Sequence, residues 1–350
     1  MARGRPFLRQ GGRHLMAEYR AGVIGCGSMG RAHARGYLKA PGCRVVAGVE
    51  TDPGRAKKFV EVSGAQRMYA DYREMLEKEK LDLISVCTWP TTHCEITVAA
   101  AGTRPRGVIC EKPLAVTLSE ADRMLEACGR DGVALATGHQ HRYNAQSVRA
   151  KEWIDAGRIG DPVMFWGHCS LDLMNNGTHV LDLIHYFNGD RPAQWVMGQI
   201  DCRNHARGRA NHPDMPAEDA GIGEVRYANG LRATVELGAF APQDYQFHLF
   251  GTEGMIDVNV PGGPPIRLLS SGGWEVPDIQ QPIDATSLKI IEFVKAVDQG
   301  REPACSGRIG RQILEVLIAI FESSRRRALI ELPVQVRDFP LKAMMEEGLV

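Results

Sequence analysis

The sequence predicts an α/β chain: a doubly wound parallel sheet, followed by an α+β domain built on a mainly antiparallel open sheet. Three observations carry that expectation. From Tyr19 to about residue 140, short β-branched runs alternate with amphipathic helical stretches. From about residue 160, longer strand patterns follow one another through turns. Between the first apolar run and the first helical stretch stands a glycine-rich turn, Gly25-Cys26-Gly27-Ser28-Met29-Gly30.

In chain order, the first run ends at Val23-Ile24, and the next four span Arg44–Val49, Leu81–Cys87, Gly107–Cys110 and Gly132–Thr137. Helical patterns over Arg31–Lys39, Gly54–Val62, Asp71–Glu79, Thr92–Ala101 and Ser119–Cys128 supply the crossovers that a parallel sheet needs. Later strands are expected over Pro162–His168, Gln194–Ile200, Gly221–Tyr227, Leu231–Leu237 and Tyr245–Phe250. Ala228-Asn229-Gly230 reads as a hairpin, because Asn-Gly supplies the positive φ angles of a tight turn. Helices are expected over His179–Phe187, Ser287–Gln299 and Gly310–Arg326, and the polar stretch Arg203–Asp219 as a long surface loop, a substrate-facing lid or an oligomer contact.

At about 150 residues per domain, 350 residues imply two domains. Their expected limits are 19–140 for a nucleotide-binding domain and 141–335 for a substrate and oligomerisation domain whose last helices pack back on the first. A tail then covers 336–350. Residues 1–18 carry Arg3, Arg5, Arg9 and Arg13 without an apolar core, which excludes a secretory signal and suggests a disordered extension, with a transit peptide as the alternative. The 42 basic and 42 acidic side chains cancel, so the electrostatic footprint of a nucleic-acid or anionic-membrane partner is missing. Ile313–Phe321 is interrupted by Glu315 and falls short of the ~20 residues that span a bilayer. The 9 cysteines are odd in number and have neither CxxC nor zinc spacing, so a reducing cytoplasm and no metal are expected.

With 38 glycines in 350 residues, about 0.4 GxGxxG matches arise by chance, so the motif gains weight only from its surroundings. It follows an apolar strand, opens a helix, and precedes by twenty positions an acid, Glu50, at the end of the second strand. Gly25, Gly27, Ser28, Met29 and Gly30 would bring backbone N–H groups to a pyrophosphate, and the Glu50 carboxylate would accept bonds from the adenosine ribose. An acid there repels a 2′-phosphate and favours NAD, whereas Arg31 or Arg55 would suit NADP. Ligands of such sheets bind beyond the carboxyl ends of the strands, where Thr88 to His93 (with Pro90), Glu111-Lys112-Pro113 and Gly138 to Asn144 also fall. Asn175, His179 and Asp182, spaced i, i+4, i+7, would share one helix face, with the amide and carboxylate flanking the imidazole as a general base requires.

The glycine motif with His33, Val86-Cys87-Thr88-Trp89-Pro90-Thr91-Thr92-His93, Glu111-Lys112-Pro113 and Gly177-Thr178-His179-Val180-Leu181-Asp182 resembles the glucose-fructose oxidoreductase and inositol dehydrogenase family. The resemblance runs from about Tyr19 to about Leu332. It implies an N-terminal Rossmann domain, a nicotinamide cofactor held by the residues above together with Thr88, Pro90, His93, Glu111 and Lys112, and a C-terminal sheet that often forms a homo-dimer or homo-tetramer interface. Lys112 falls on the family's catalytic lysine and His179 on its usual catalytic histidine. Some members carry aspartate where this chain has Asn175. On these implications His179 takes the hydroxyl proton of a sugar or cyclic polyol, Lys112 steadies the alkoxide, Asp182 orients one of them, Asn175 contacts substrate, and Arg142 and Tyr143, with His141, either contact further hydroxyls or pack the domain junction. His33 is expected to pack or cap its helix. A redox-neutral enzyme that retains NAD while cleaving glycosidic bonds, and a non-catalytic NAD-binding sensor, remain as other uses of the same fold.

Overall fold

The structure, a computed structural model, describes residues 18–203, 215–238, 244–336 and 338–350. The expected N-terminal extension, but for Glu18, and residues 204–214 of the expected loop lie outside the described residues.

The first domain runs β1 (Tyr19–Ile24), α1 (Ser28–Lys39), β2 (Cys43–Val49), α2 (Pro53–Ser63), β3 (Arg67–Tyr69), α3 (Tyr72–Lys78), β4 (Leu83–Val86), α4 (Pro90–Gly102), β5 (Gly107–Cys110), α5 (Leu118–Asp131) and β6 (Ala134–Thr137). The strands pair in parallel in the order β3-β2-β1-β4-β5-β6. The direction of winding therefore reverses between β1 and β4, which opens a crevice beyond their carboxyl ends. Local chemistry sets the helix limits. Asp52 caps α2 through the Arg55 N–H with Pro53 in the first turn, and Thr117 and Glu120 form a reciprocal capping box on α5, which Gly132 ends in the left-handed region at φ 70. β3 escaped the sequence pattern because three residues are too few to show a period.

A 3-10 turn (Gln140–Tyr143) leads to α6 (Ala145–Asp155), β7 (Pro162–Cys169), a π turn (Leu173–Gly177) and α7 (Thr178–Phe187). Next come β8 (Ala193–Asp201), β9 (Ala220–Tyr227), β10 (Arg232–Gly238), β11 (Gln246–Gly251), β12 (Met255–Val258), β13 (Ile266–Ser270) and β14 (Gly273–Glu275). The chain finishes with α8 (Ala285–Asp298), α9 (Gly307–Arg326), β15 (Ile330–Glu331) and α10 (Pro340–Glu346). The second sheet has the order β14-β13-β12-β11-β7-β10-β9-β8-β15, antiparallel except where β7 pairs with β10. Helices α7 and α9 bury one face of it, through Val180, Ile184, Leu317 and Ile320 among others.

The last helices return to the first domain. Ile290 and Phe293 of α8 join the cluster of Tyr19, Tyr37 and Val45, and Gly36 of α1 leaves no room for a side chain against Ile290. Gly307 and Gly310 let α9 approach Leu135 and Thr137 of β6. The stretch read as a tail contains α10, docked by the edge-to-face contact of Phe339 with Phe321 (ring centroids 5.1 Å apart). No helix among the described residues is long and apolar enough to cross a membrane.

Candidate active site

The crevice at the β1/β4 reversal has a volume of about 620 Å³, and Gly25, Gly27, Ser28, Met29, Glu50 and Thr88 line it. Gly25 holds φ +88, and a Cβ there would lie 2.6 Å from the Cys87 carbonyl oxygen. Gly30 is buried, and a Cβ on it would collide with the Gly25 carbonyl, so this glycine serves close packing of helix on turn. A Cβ on Gly27 would meet nothing within 4 Å. No side chain caps α1, so its first N–H groups open on the crevice with the positive end of the helix dipole behind them. That arrangement could hold a phosphate.

Glu50 is anchored in the wall: its carboxylate accepts from the backbone N–H groups of Cys26 (3.2 Å), Thr51 (3.0 Å) and Asp52 (3.1 Å) and pairs with Arg55 (3.1 Å). The other arginine considered for a 2′-phosphate, Arg31, donates to the Cys26 carbonyl at 3.2 Å. Trp89, from the motif after β4, and Tyr72 and Arg73, at the start of α3, also line the crevice; the latter two were read only as part of a helical pattern.

Three expected cofactor contacts are not among the residues that line the crevice. Pro90 is buried at the start of α4. His93 is buried under the crevice wall, where Nδ1 lies 2.9 Å from the Pro113 carbonyl and Nε2 3.2 Å from the Thr88 carbonyl, one of which its single N–H serves. Glu111 turns inward to His33 Nε2 and Lys289 Nζ, each at 2.9 Å. A strand end is readable from sequence; the direction its side chains take is not.

Lys112, next to Glu111 beyond β5, donates from Nζ to the Asn175 carbonyl and to its Oδ1, both at 2.8 Å. Asn175 reaches it because the chain does not enter α7 regularly. The Asp172 carbonyl accepts from Asn175 (3.2 Å), Asn176 (3.0 Å) and Gly177 (3.2 Å), a π turn that adds one residue to the helical repeat. The regular helix face expected for Asn175, His179 and Asp182 is thereby broken.

His179 is buried, and among the described residues its Nδ1 has no hydrogen-bond partner. Burial first, and then the neighbouring His141 and Lys112, hold its pKa well below the ordinary histidine value, which favours the neutral ring. His141 packs edge-on against it (4.5 Å between centroids), and Tyr245, just before β11, covers both at 4.3 Å from His141 and 5.4 Å from His179. The Tyr245 hydroxyl donates to Asn176 Oδ1 at 2.9 Å. Tyr245 was legible only as a strand start.

Asp182 and Arg142 do not take the roles expected of them. Arg142 Nε donates to Asp182 Oδ1 (2.8 Å), and its two terminal nitrogens grip Asp190 at 2.8 and 3.0 Å. Burial raises the Asp182 pKa to about 7, with Arg142 opposing that rise. The carboxylate thus orients neither Lys112 nor His179; its closest imidazole is His139, 3.6 Å away. Tyr143 donates to Glu292 at 3.2 Å, beside α8 rather than beside His179. Of the stretch after β6, His141 and, with 5.6 Å between ring centroids, His139 pack against His179. No group of three or more His, Cys, Asp or Glu among the described residues could hold a metal ion.

Residues 19–139 match the oxidoreductase family with an NAD-binding Rossmann fold, GFO/IDH/MocA, and residues 172–257 match a C-terminal domain of the same family. The chain is 26% identical over 337 residues to scyllo-inositol 2-dehydrogenase (NAD(+)) of Bacillus subtilis (strain 168), covering 91% of this chain and 97% of the relative. It is 25% identical over 381 residues to D-apiose dehydrogenase of Paraburkholderia graminis, with 95% of each chain covered. In fold it is similar to an oxidoreductase from Agrobacterium radiobacter solved with NAD+, L-tartaric acid and magnesium (TM-score 0.79, 18% identity, 94% of this chain and 100% of that one).

Proposed function

The chain belongs to the GFO/IDH/MocA oxidoreductase family, and on that premise we propose that it moves a hydride between NAD and a hydroxyl-bearing carbon of a sugar, sugar derivative or cyclic polyol. The observation that carries the chemistry is the neutral, buried His179 with an unpartnered Nδ1, close to a lysine that Asn175 holds still.

The crevice fits the cofactor: the glycine turn and uncapped α1 suit a diphosphate, and the anchored Glu50 suits a ribose diol and repels a 2′-phosphate. Bound there, the nicotinamide supplies the hydride acceptor or donor. His179 accepts the proton of the substrate hydroxyl in the oxidative direction and returns it in the reductive one. Lys112, oriented before substrate arrives, favours the negative charge that grows on the substrate oxygen. The packed rings of His141 and Tyr245 keep water from the imidazole. No observation favours the redox-neutral or the sensor alternative.

The outward face of the second sheet supports assembly into a homo-oligomer. Met197, Ile222, Phe250 and Trp274 stand exposed on it, apolar side chains that an interface would cover. A reducing compartment such as the cytoplasm suits nine cysteines that form no disulfide.

The test is a spectrophotometric screen of inositol isomers, apiose and other sugars, at matched NAD and NADP. NADH should form with at least one compound, NAD should outperform NADP, and Glu50→Ala should erode that preference. If no compound reduces either cofactor, the proposal falls.

A further inference from the structure

The Glu111-Lys112-Pro113 turn belongs to the first domain, yet the second domain grips it from two sides. Lys112 reaches Asn175 in the π turn. Glu111 turns away from Asn175 and meets Lys289 of α8. Lys289 is 1% exposed, and its ammonium lies 2.9 Å from Glu111 Oε1 and 3.0 Å from His33 Nε2. His33 in turn meets Ser85 Oγ at 2.9 Å. Gly138 at the end of β6 closes the pocket, since a Cβ there would collide with the Glu111 carboxylate.

Sealing a lysine inside a protein is costly, and a buried ion pair seldom stabilises more than an apolar pair of the same volume. What such a pair supplies is a fixed position. We propose that Lys289 is a positioning residue for Lys112: docking of α8 on the first domain clamps Glu111, and through the single peptide that joins them it sets where the Lys112 ammonium stands. This rests on the reading of Lys112 as the group that meets the substrate oxygen.

The experiment uses the full chain and Lys289→Met. The reactivity of each lysine towards acetic anhydride is followed by mass spectrometry without cofactor, with the exposed Lys342 as internal reference. Release of the clamp should raise Lys112 labelling relative to Lys342 at least about fivefold. On a polyol that the wild type oxidises, kcat should fall about 10- to 100-fold, the scale of a misplaced reacting group, with KM for NAD nearly unchanged. A merely structural Lys289 would lower thermal stability and leave both readouts of the folded enzyme alone. Should Lys289→Met fold poorly, Glu111→Gln/Lys289→Met removes both buried charges, and Lys112 labelling should again rise. Wild-type labelling and kcat in these variants, with Lys112→Ala inactive, would overturn the inference and spare the site. If Lys112→Ala itself keeps its turnover, the site reading fails, and labelling alone still reports whether Lys289 positions Lys112.

Discussion

The Lys112 ammonium is bonded twice by one residue, at 2.8 Å to the backbone carbonyl of Asn175 and 2.8 Å to its side-chain oxygen. Both acceptors belong to one residue at the entry of α7, so the ammonium is held in a fixed orientation across the domain junction. Lys112→Ala should therefore cut kcat by at least ~10²-fold while NAD affinity, measured by fluorescence titration, stays close to wild type. Asn175→Ala keeps the charge and removes the side-chain bond at Oδ1, so a smaller loss, about tenfold, is expected. His179→Ala should recover part of its activity at high pH, where the substrate hydroxyl needs less help to deprotonate. Near-normal turnover of Lys112→Ala would move the chemistry elsewhere in the crevice.

Two glycines of one turn should fail in different ways. A Cβ on Gly27 meets no protein atom within 4 Å, so Gly27→Ala should melt like wild type yet bind NAD weakly, because the methyl occupies the phosphate's place. A Cβ on Gly30 collides with the Gly25 carbonyl, so Gly30→Ala should lose stability, by about 1–3 kcal/mol, together with binding. Calorimetric melting and NAD titration on both variants separate the two. Equal effects on both would show that the turn is not a phosphate cradle.

Arg142 bridges Asp182 and Asp190 inside the second domain. Arg142→Met strands two carboxylates and should destabilise the fold by about 3–5 kcal/mol in denaturant titration. The remaining folded enzyme should keep its substrate KM. A raised KM at unchanged stability would restore Arg142 to substrate binding.

Acid should destabilise the protein before the ordinary carboxylate range is reached. Burial is the leading cause that holds His33, His141 and His185 down to about 4, and it also lowers His93, His139 and His179. In the unfolded chain histidine titrates near ~6.5, so between about 6.5 and 4 the unfolded state binds more protons and stability drains away as pH falls. Asp182 acts with the opposite sign: its raised value, about 7, lets the folded state bind a proton that the unfolded aspartate releases, which offsets one histidine of six. The melting temperature should drop by at least about 10 °C from pH 7 to pH 5. A flat profile over that range would contradict neutral burial of these rings.

Much of the site's location was legible without coordinates. The alternation of β-branched runs and amphipathic stretches has a local period, so it revealed the parallel sheet; Gly25, Gly27 and Glu50 stand at fixed offsets from strand ends, so they marked the crevice. Lys112 and His179 emerged from motifs that resemble a known family. What only the tertiary structure decided is which partner each charge meets. Glu111 and Lys112 are neighbours in sequence, yet one is clamped by Lys289, 178 residues away, and the other by Asn175, 63 residues away. Arg142 and Asp182 look like substrate and orienting groups until the fold brings them together across 40 residues. Periodicity is a property of adjacent residues, whereas the partner of a buried charge is chosen by Coulombic and desolvation energies acting between segments that only the folded chain places side by side.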